Sequence, residues 1–238
     1  MMPKLSYKDR RKVSLFLNIL IVGLEIISFV ILLLSINTIP VQYFTVDSNI
    51  LALATCAIFI YYIVRDEEIP YWLRLMKYIS AVCLTITFLV VVFVLAPMYE
   101  WNYGYLLFHN ELLYQHLLCP VFFVLAFLLF DNFAPEDFDE EAEAAKVKSI
   151  PRKLMRFRDQ KFQYTYKLQP TDDVYPVGTV LLYGIVLVIL NLVDAVSGPY
   201  PFLRIKEQPI WASILWFTLI LGSTYVVSIA LRKFRNHK

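Results

Sequence analysis

The first long apolar stretch of the chain, VSLFLNILIVGLEIISFVILLLS at Val13–Ser35, decides the fold class. As an α-helix it extends about 35 Å at 1.5 Å per residue, which is enough to cross a hydrocarbon layer of about 30 Å. Five stretches of similar length and composition follow, at Thr45–Val64, Trp72–Leu95, Leu112–Phe130, Val174–Val196 and Ile210–Leu231. The sequence therefore predicts an all-α polytopic membrane protein, in which residues 1–238 form a single domain of six transmembrane helices.

Composition supports this fold class. Hydrophobic residues make up 59% of the 238 residues and the mean hydropathy is +0.59, which is too apolar for an ordinary soluble domain. The chain lacks the nucleophile elbow, the HExxH zinc motif and the phosphate-binding glycine loop of soluble enzymes. The three cysteines all fall inside predicted spans and indicate no disulfide framework.

The basic residues predict the topology. Twenty of the 22 lysines and arginines lie on one side of the predicted membrane, and only Arg204 and Lys206 lie on the other. Basic residues are retained on the cytoplasmic side, so both termini are predicted to be cytoplasmic.

The connection at residues 131–173 is the only long polar segment, with an acidic run followed by a basic one. We interpret it as a solvated cytoplasmic tether that fixes topology, with a regulatory or lipid-binding role as the alternative. Its charge is not accompanied by a recognised nucleic-acid-binding fold, so no nucleic-acid partner is predicted.

Polar residues converge near the outer ends of three predicted spans. On the second span, Thr45, Ser48 and Asn49 share one helical face because of their i, i+3, i+4 spacing. Asp47 lies on the same span, and the outer ends of the fourth and fifth spans place the remaining polar candidates at similar depth: His116, Asn191 and Asp194. Placing such groups inside a membrane has a high free-energy cost, so they mark either functional sites or interhelical hydrogen bonds.

Pro120 lies four residues after His116 and has no N–H to bond the His116 carbonyl. The sequence therefore predicts a polar notch beside the imidazole, or else a simple kink.

Three segments carry a resemblance to a known family: Tyr43–Asn49, His116–Pro120 and Gly198–Leu203. Together they resemble the androgen-induced integral-membrane protein family of the FAR-17a type and its bacterial relatives. The animal members hydrolyse fatty acid esters of hydroxy fatty acids, with a threonine nucleophile and a histidine. The resemblance implies that Thr45 is the nucleophile and His116 the base, in a bacterial plasma-membrane protein whose partners are lipids.

The remaining candidates fit this chemistry in supporting roles. Imidazole is suited to accept a hydroxyl proton near neutral pH. Ser48 or Asn49 is placed to stabilise an oxyanion, and Asp47 or Asp194 to orient the histidine. Asn191 lies at the same depth, and Cys119 is a rival nucleophile.

Other functions stay open on sequence alone. The alternatives are a lipid acyltransferase, a non-enzymatic membrane interaction protein and a small-molecule transporter. Among the polar residues of the spans, Glu25 near the middle of the first span gives the strongest indication of a transporter. No cofactor or metal is predicted, and Asp47, Glu111 and His116 are the one sparse set that suits a divalent cation.

Overall fold

The computed structural model describes residues 6–131, 167–197, 200 and 203–237. It confirms the prediction of six helices that are long and apolar enough to cross a membrane. The helices are α1 Tyr7–Ile36, α2 Phe44–Val64, α3 Tyr71–Met98, α4 Asn110–Leu129, α5 Pro170–Leu192 and α6 Ile210–Asn236. A short helix, Tyr103–Phe108, lies between α3 and α4, and the described residues contain no strand.

Two helices extend beyond their apolar stretches into charged sequence. Ser6 caps α1 by accepting the N–H of Asp9, so the helix begins at Tyr7 rather than at Val13. At the other end of the chain, α6 continues to Asn236 with Lys233 and Arg235 in its last turn, where cations interact favourably with the helix dipole.

The fifth helix ends earlier than its apolar stretch predicts. It stops at Leu192, and the chain turns through Val193–Val196, where Asp194 has a φ of 60°. The Asn191 side chain donates to the Val196 carbonyl over 3.1 Å and holds this turn. Asp194 therefore lies beyond the helix and not on it.

Both α3 and α4 contain a turn of π-helix, at Val91–Leu95 and Leu113–Leu118. Each is followed closely by a proline, Pro97 or Pro120, which lacks the N–H that an α-helical bond requires. Widening to an i→i+5 pattern is a known response to such a break, and π turns occur often at functional sites. His116 lies in the second of these turns.

The core lies between α1, α2, α3 and α4. Ile21, Ala52, Ala81 and Phe123, one from each helix, are completely buried in a shared apolar cluster. On α1 the buried face is largely polar, and it is formed by Ser14, Asn18, Ile21, Glu25, Ser28, Phe29 and Leu32. The apolar residues on the other faces of α1 point outward, as expected where a helix faces lipid.

Helices α5 and α6 pack against α3 at the edge of the core and expose many large apolar side chains. The start of α5 is anchored by a capping box in which Gln169 and Asp172 bond each other's backbone N–H groups. Beside it, Asp173 receives two bonds from the Arg232 guanidinium, at 2.8 and 2.9 Å. Most of the charged connection predicted at 131–173 lies outside the described residues.

Candidate functional site

Thr45 lies in the first turn of α2, where a backbone N–H has no partner within the helix. The Tyr200 hydroxyl is placed at this point, 3.5 Å from the Thr45 backbone nitrogen and 3.4 Å from its Oγ1. Thr45 is 7% exposed and Tyr200 is 8% exposed. The two hydroxyls therefore form a buried pair at the start of α2.

Tyr200 lies outside the spanning helices. Burial raises the pKa of its phenol, so the hydroxyl stays neutral and able to donate a hydrogen bond.

Ser48 and Asn49 share the face of Thr45, as predicted, but their donors are already used. The Ser48 hydroxyl donates to the Thr45 carbonyl over 3.0 Å and lies 3.0 Å from the hydroxyl of Thr87 on α3. The Asn49 amide nitrogen lies 2.6 Å from the Thr45 carbonyl and 3.3 Å from the Gln115 carbonyl on α4. Asn49 thus connects the chain at Thr45 to the residue that precedes His116.

His116 is 5% exposed, and its Nδ1 lies 2.6 Å from the carbonyl oxygen of Leu106 in the short helix. A carbonyl only accepts, so Nδ1 carries the hydrogen, and Nε2 is the basic atom of the uncharged ring. The Leu106 carbonyl therefore fixes the tautomer that a general base requires.

Thr45 and His116 are not a bonded pair. Asn49 bridges α2 to the residue before His116, yet among the described contacts no hydrogen bond joins the threonine hydroxyl to the imidazole. Catalytic hydrogen bonds are often long or unformed without substrate.

No described hydrogen bond joins His116 to Asp47 or Asp194, the acidic residues predicted to orient it. The Asp194 carboxylate is 81% exposed and pairs with the ammonium of Lys206, over 2.5 Å. Asp47 is half-buried on α2, and Asn191 serves the turn after α5. The Leu106 carbonyl takes the position that an orienting carboxylate would occupy.

The three residues that suit a divalent cation by their type are not brought together. Within the described ranges, no group of three histidine, cysteine or carboxylate side chains is arranged to hold a metal ion, and this includes Asp47, Glu111 and His116. Cys119, the rival nucleophile, is fully buried on the α1 side of α4 and is absent from the lining of the cavity beside Thr45.

A cavity opens beside Thr45, between α2, α3, α5 and α6. Its empty volume, including its open mouth, is about 620 Å³. The hydroxyl-bearing residues in its lining are Thr45, Thr87, Tyr183 and Tyr200, and the rest of the lining is apolar. The lining contains neither His116 nor any other residue of α4.

A groove of about 1010 Å³, including open space, runs between α3 and α6 next to the cavity. Ile86, Val90 and Ile220 line both spaces. The groove and the cavity are therefore adjacent apolar spaces that share one wall.

The contact of Tyr200 with Thr45 was not predicted from the sequence, although Tyr200 lies in one of the segments that carry the family resemblance. The loop between α5 and α6 brings it to Thr45 across 155 residues of sequence. Its neighbours 198, 199, 201 and 202 in that segment lie outside the described residues.

A second polar cluster, also not predicted, lies near the opposite end of the bundle. Lys77 is 1% exposed and its ammonium lies 3.3 Å from the Asp131 carboxylate, which is equally buried. Lys77 also donates to the side chains of Asn18 and Cys56, and Ser14 donates to Asp131. We call these five residues the Lys77 cluster.

Comparison with known proteins gave no match, whether to a protein-family model, a curated protein or a solved structure.

Proposed function

We propose that this protein hydrolyses ester bonds of membrane lipids or fatty acids, with Thr45 as the nucleophile and His116 as the base. The observation that carries this proposal is the apolar cavity with hydroxyl groups concentrated near one threonine. Such a space suits an acyl chain whose ester group lies at Thr45. The resemblance to the FAR-17a type family supports the same assignment.

The reaction proceeds by acyl transfer to threonine. Oγ1 of Thr45 attacks the ester carbonyl carbon while Nε2 of His116 accepts the hydroxyl proton, either after the threonine side chain rotates or through one water molecule. The bond to the alcohol oxygen then breaks, and the imidazolium returns the proton to that oxygen. Water attacks the acyl-threonine in the second half of the reaction, and releases the fatty acid and the free threonine.

Tyr200 is the group best placed to stabilise the oxyanion. The donors of Ser48 and Asn49 point at the Thr45 carbonyl, whereas the Tyr200 hydroxyl lies in the cavity lining at Thr45. A neutral phenol aimed at the developing charge stabilises it without reorganisation.

The substrate reaches the cavity from the bilayer and not from water. The groove between α3 and α6 faces outward and shares its lining with the cavity. With the topology predicted from the basic residues, the site lies in the outer half of the membrane, which we assign to a bacterial plasma membrane.

The test is hydrolysis of a panel of lipid and fatty-acid esters by the purified protein in lipid nanodiscs. Thr45→Ala and His116→Ala are each expected to reduce turnover by about 10³-fold or more, with the double variant hardly worse than either one. Thr218→Ala is the matched control, because its hydroxyl bonds only its own helix on the exposed face of α6.

Full turnover in Thr45→Ala would contradict the assignment of the nucleophile. Absence of turnover with every ester, in protein that is folded, would contradict the proposed function.

A further inference from the structure

The polar face of α1 forms a line of buried groups through the bundle. Ser14, Asn18, Glu25 and Ser28 are each completely buried. At 1.5 Å per residue, this line extends about 21 Å along the helix axis. The proposed ester hydrolysis uses none of these residues.

Hydrogen bonds join the first part of the line, at Ser14 and Asn18, to Lys77 and Asp131. Asn18 bonds both Lys77 and Asp131, and Ser14 bonds the same carboxylate. The Lys77 ammonium lies between the rings of Phe59 and Phe123, with its nitrogen 5.0 and 4.2 Å from the two centroids. The charge of Lys77 is therefore compensated within the cluster.

A polar cleft lies at this end of the line. A cleft with an empty volume of about 310 Å³, including open solvent, contains Asp131 in its lining. The other residues in the lining are Tyr7, Arg11, Glu67, Glu68, Ile69 and Arg74. Asp131 thus lies at the wall of a polar cleft, although its carboxylate is itself buried.

Glu25 lies about 10 Å farther along α1 than Asn18. Within the described part of the chain, no N–H or O–H group donates to its carboxyl oxygens, and the Ser28 hydroxyl has no hydrogen-bond partner. The polar or ionisable groups that face Glu25 are the thiols of Cys119 on α4 and Cys56 on α2. Cys56 in turn accepts a bond from Lys77 on α3.

A negative charge on Glu25 would lack a neighbouring positive charge. Among the described residues no cation contacts Glu25, because Lys77 is held by Asp131 and Asn18. A lone buried charge is far more costly than a neutral acid, so occupation of the site by a proton is the favoured state. Intramembrane carboxyl groups with this environment are the usual components of proton pathways.

We propose that Glu25 is a reversible proton-binding site inside the bundle, loaded from the cleft at Asp131 through the Lys77 cluster. Protons enter from water at the cleft, pass the Asp131 carboxylate and the Lys77 ammonium, and reach Glu25 past the Cys56 thiol. Each step moves one proton between adjacent polar groups. The site does not depend on Thr45 or His116.

Infrared difference spectroscopy of the protein in nanodiscs tests the site directly, because a protonated carboxyl has a C=O stretching band that a carboxylate lacks. The expected result is a band at neutral pH that disappears reversibly at alkaline pH and is absent in Glu25→Gln. Glu100→Gln, at an exposed position outside the cleft, is the matched control and keeps the band. A band that persists in Glu25→Gln, or one that ignores pH, would overturn the proposal.

The route is tested by the rate at which the same band shifts after transfer to deuterium oxide. Asp131→Asn is expected to slow this exchange about 10-fold to 100-fold, the contribution of a positioned proton-transfer group. Asn18→Ala serves the same purpose if Asp131→Asn does not fold. Exchange at the wild-type rate in a folded variant would refute the route.

Discussion

The hydroxyl of Tyr200, in the loop between α5 and α6, lies 3.4 Å from Oγ1 of Thr45 at the start of α2. Both groups are buried, and both line the same apolar cavity. This relationship connects the proposed nucleophile to a hydrogen-bond donor that a catalytic oxyanion requires.

Replacement of Tyr200 by phenylalanine tests this relationship. The variant keeps the ring but loses the hydroxyl, and turnover is expected to fall by about 10²- to 10³-fold with little change in KM. Tyr183→Phe is the control, because Tyr183 lines the same cavity but donates its hydroxyl to the Gln42 carbonyl over 2.8 Å. Equal losses in the two variants would show that the effect comes from packing rather than from a donated hydrogen bond.

The pH dependence of stability gives a second test of Tyr200. Burial raises its pKa above the value of about 10 in an unfolded chain, so its neutral form stabilises the folded state. This contribution is complete below about pH 10 and is lost as the pH rises through the folded-state pKa. Thermal unfolding at increasing pH is expected to show the wild type losing stability relative to Tyr200→Phe only above about pH 10. A constant difference across that range would argue against a buried neutral phenol.

The topology prediction is tested by cysteine labelling from one side of the membrane. Glu68 and Glu100 are exposed in the loops on either side of α3, and the three native cysteines are buried. A membrane-impermeant thiol reagent added to intact cells is expected to label Glu100→Cys and to spare Glu68→Cys. Labelling of both positions from outside would refute the predicted orientation of α3.

The ion pair of Lys77 and Asp131 is expected to matter for stability mainly when one partner is lost. Lys77→Met leaves a buried carboxylate without its cation, which costs about 3–5 kcal/mol. Addition of Asp131→Leu removes the stranded charge and is expected to recover part of that loss. Denaturant or thermal unfolding of the two variants measures the difference, and a double variant less stable than Lys77→Met would contradict this account.

The six helices could be predicted because each apolar stretch matches the thickness of a bilayer, a property of local composition. The ends of the helices were less predictable. The cap at Ser6 and the basic last turn of α6 extend helices through polar sequence, and the turn held by Asn191 ends α5 within apolar sequence.

The site was predictable only in part. Thr45, Ser48 and Asn49 share a face because helical spacing requires it, and this was visible in the sequence. The contact of Tyr200 with Thr45 joins residues 155 positions apart, and no periodicity encodes it. Asp194 was assigned by its depth alone, whereas its pairing with Lys206 depends on the turn after α5. Depth in the membrane therefore indicates which residues can meet, but not which of them do.

In the proposed reaction, Thr45 carries the acyl group during turnover. The most direct measurement is mass spectrometry of peptides from protein that was quenched during hydrolysis of a lipid ester. An acyl adduct on Thr45 is expected in the wild type and is expected to be absent in Thr45→Ala. An adduct on Ser48 or Cys119, or turnover without any adduct on Thr45, would contradict it.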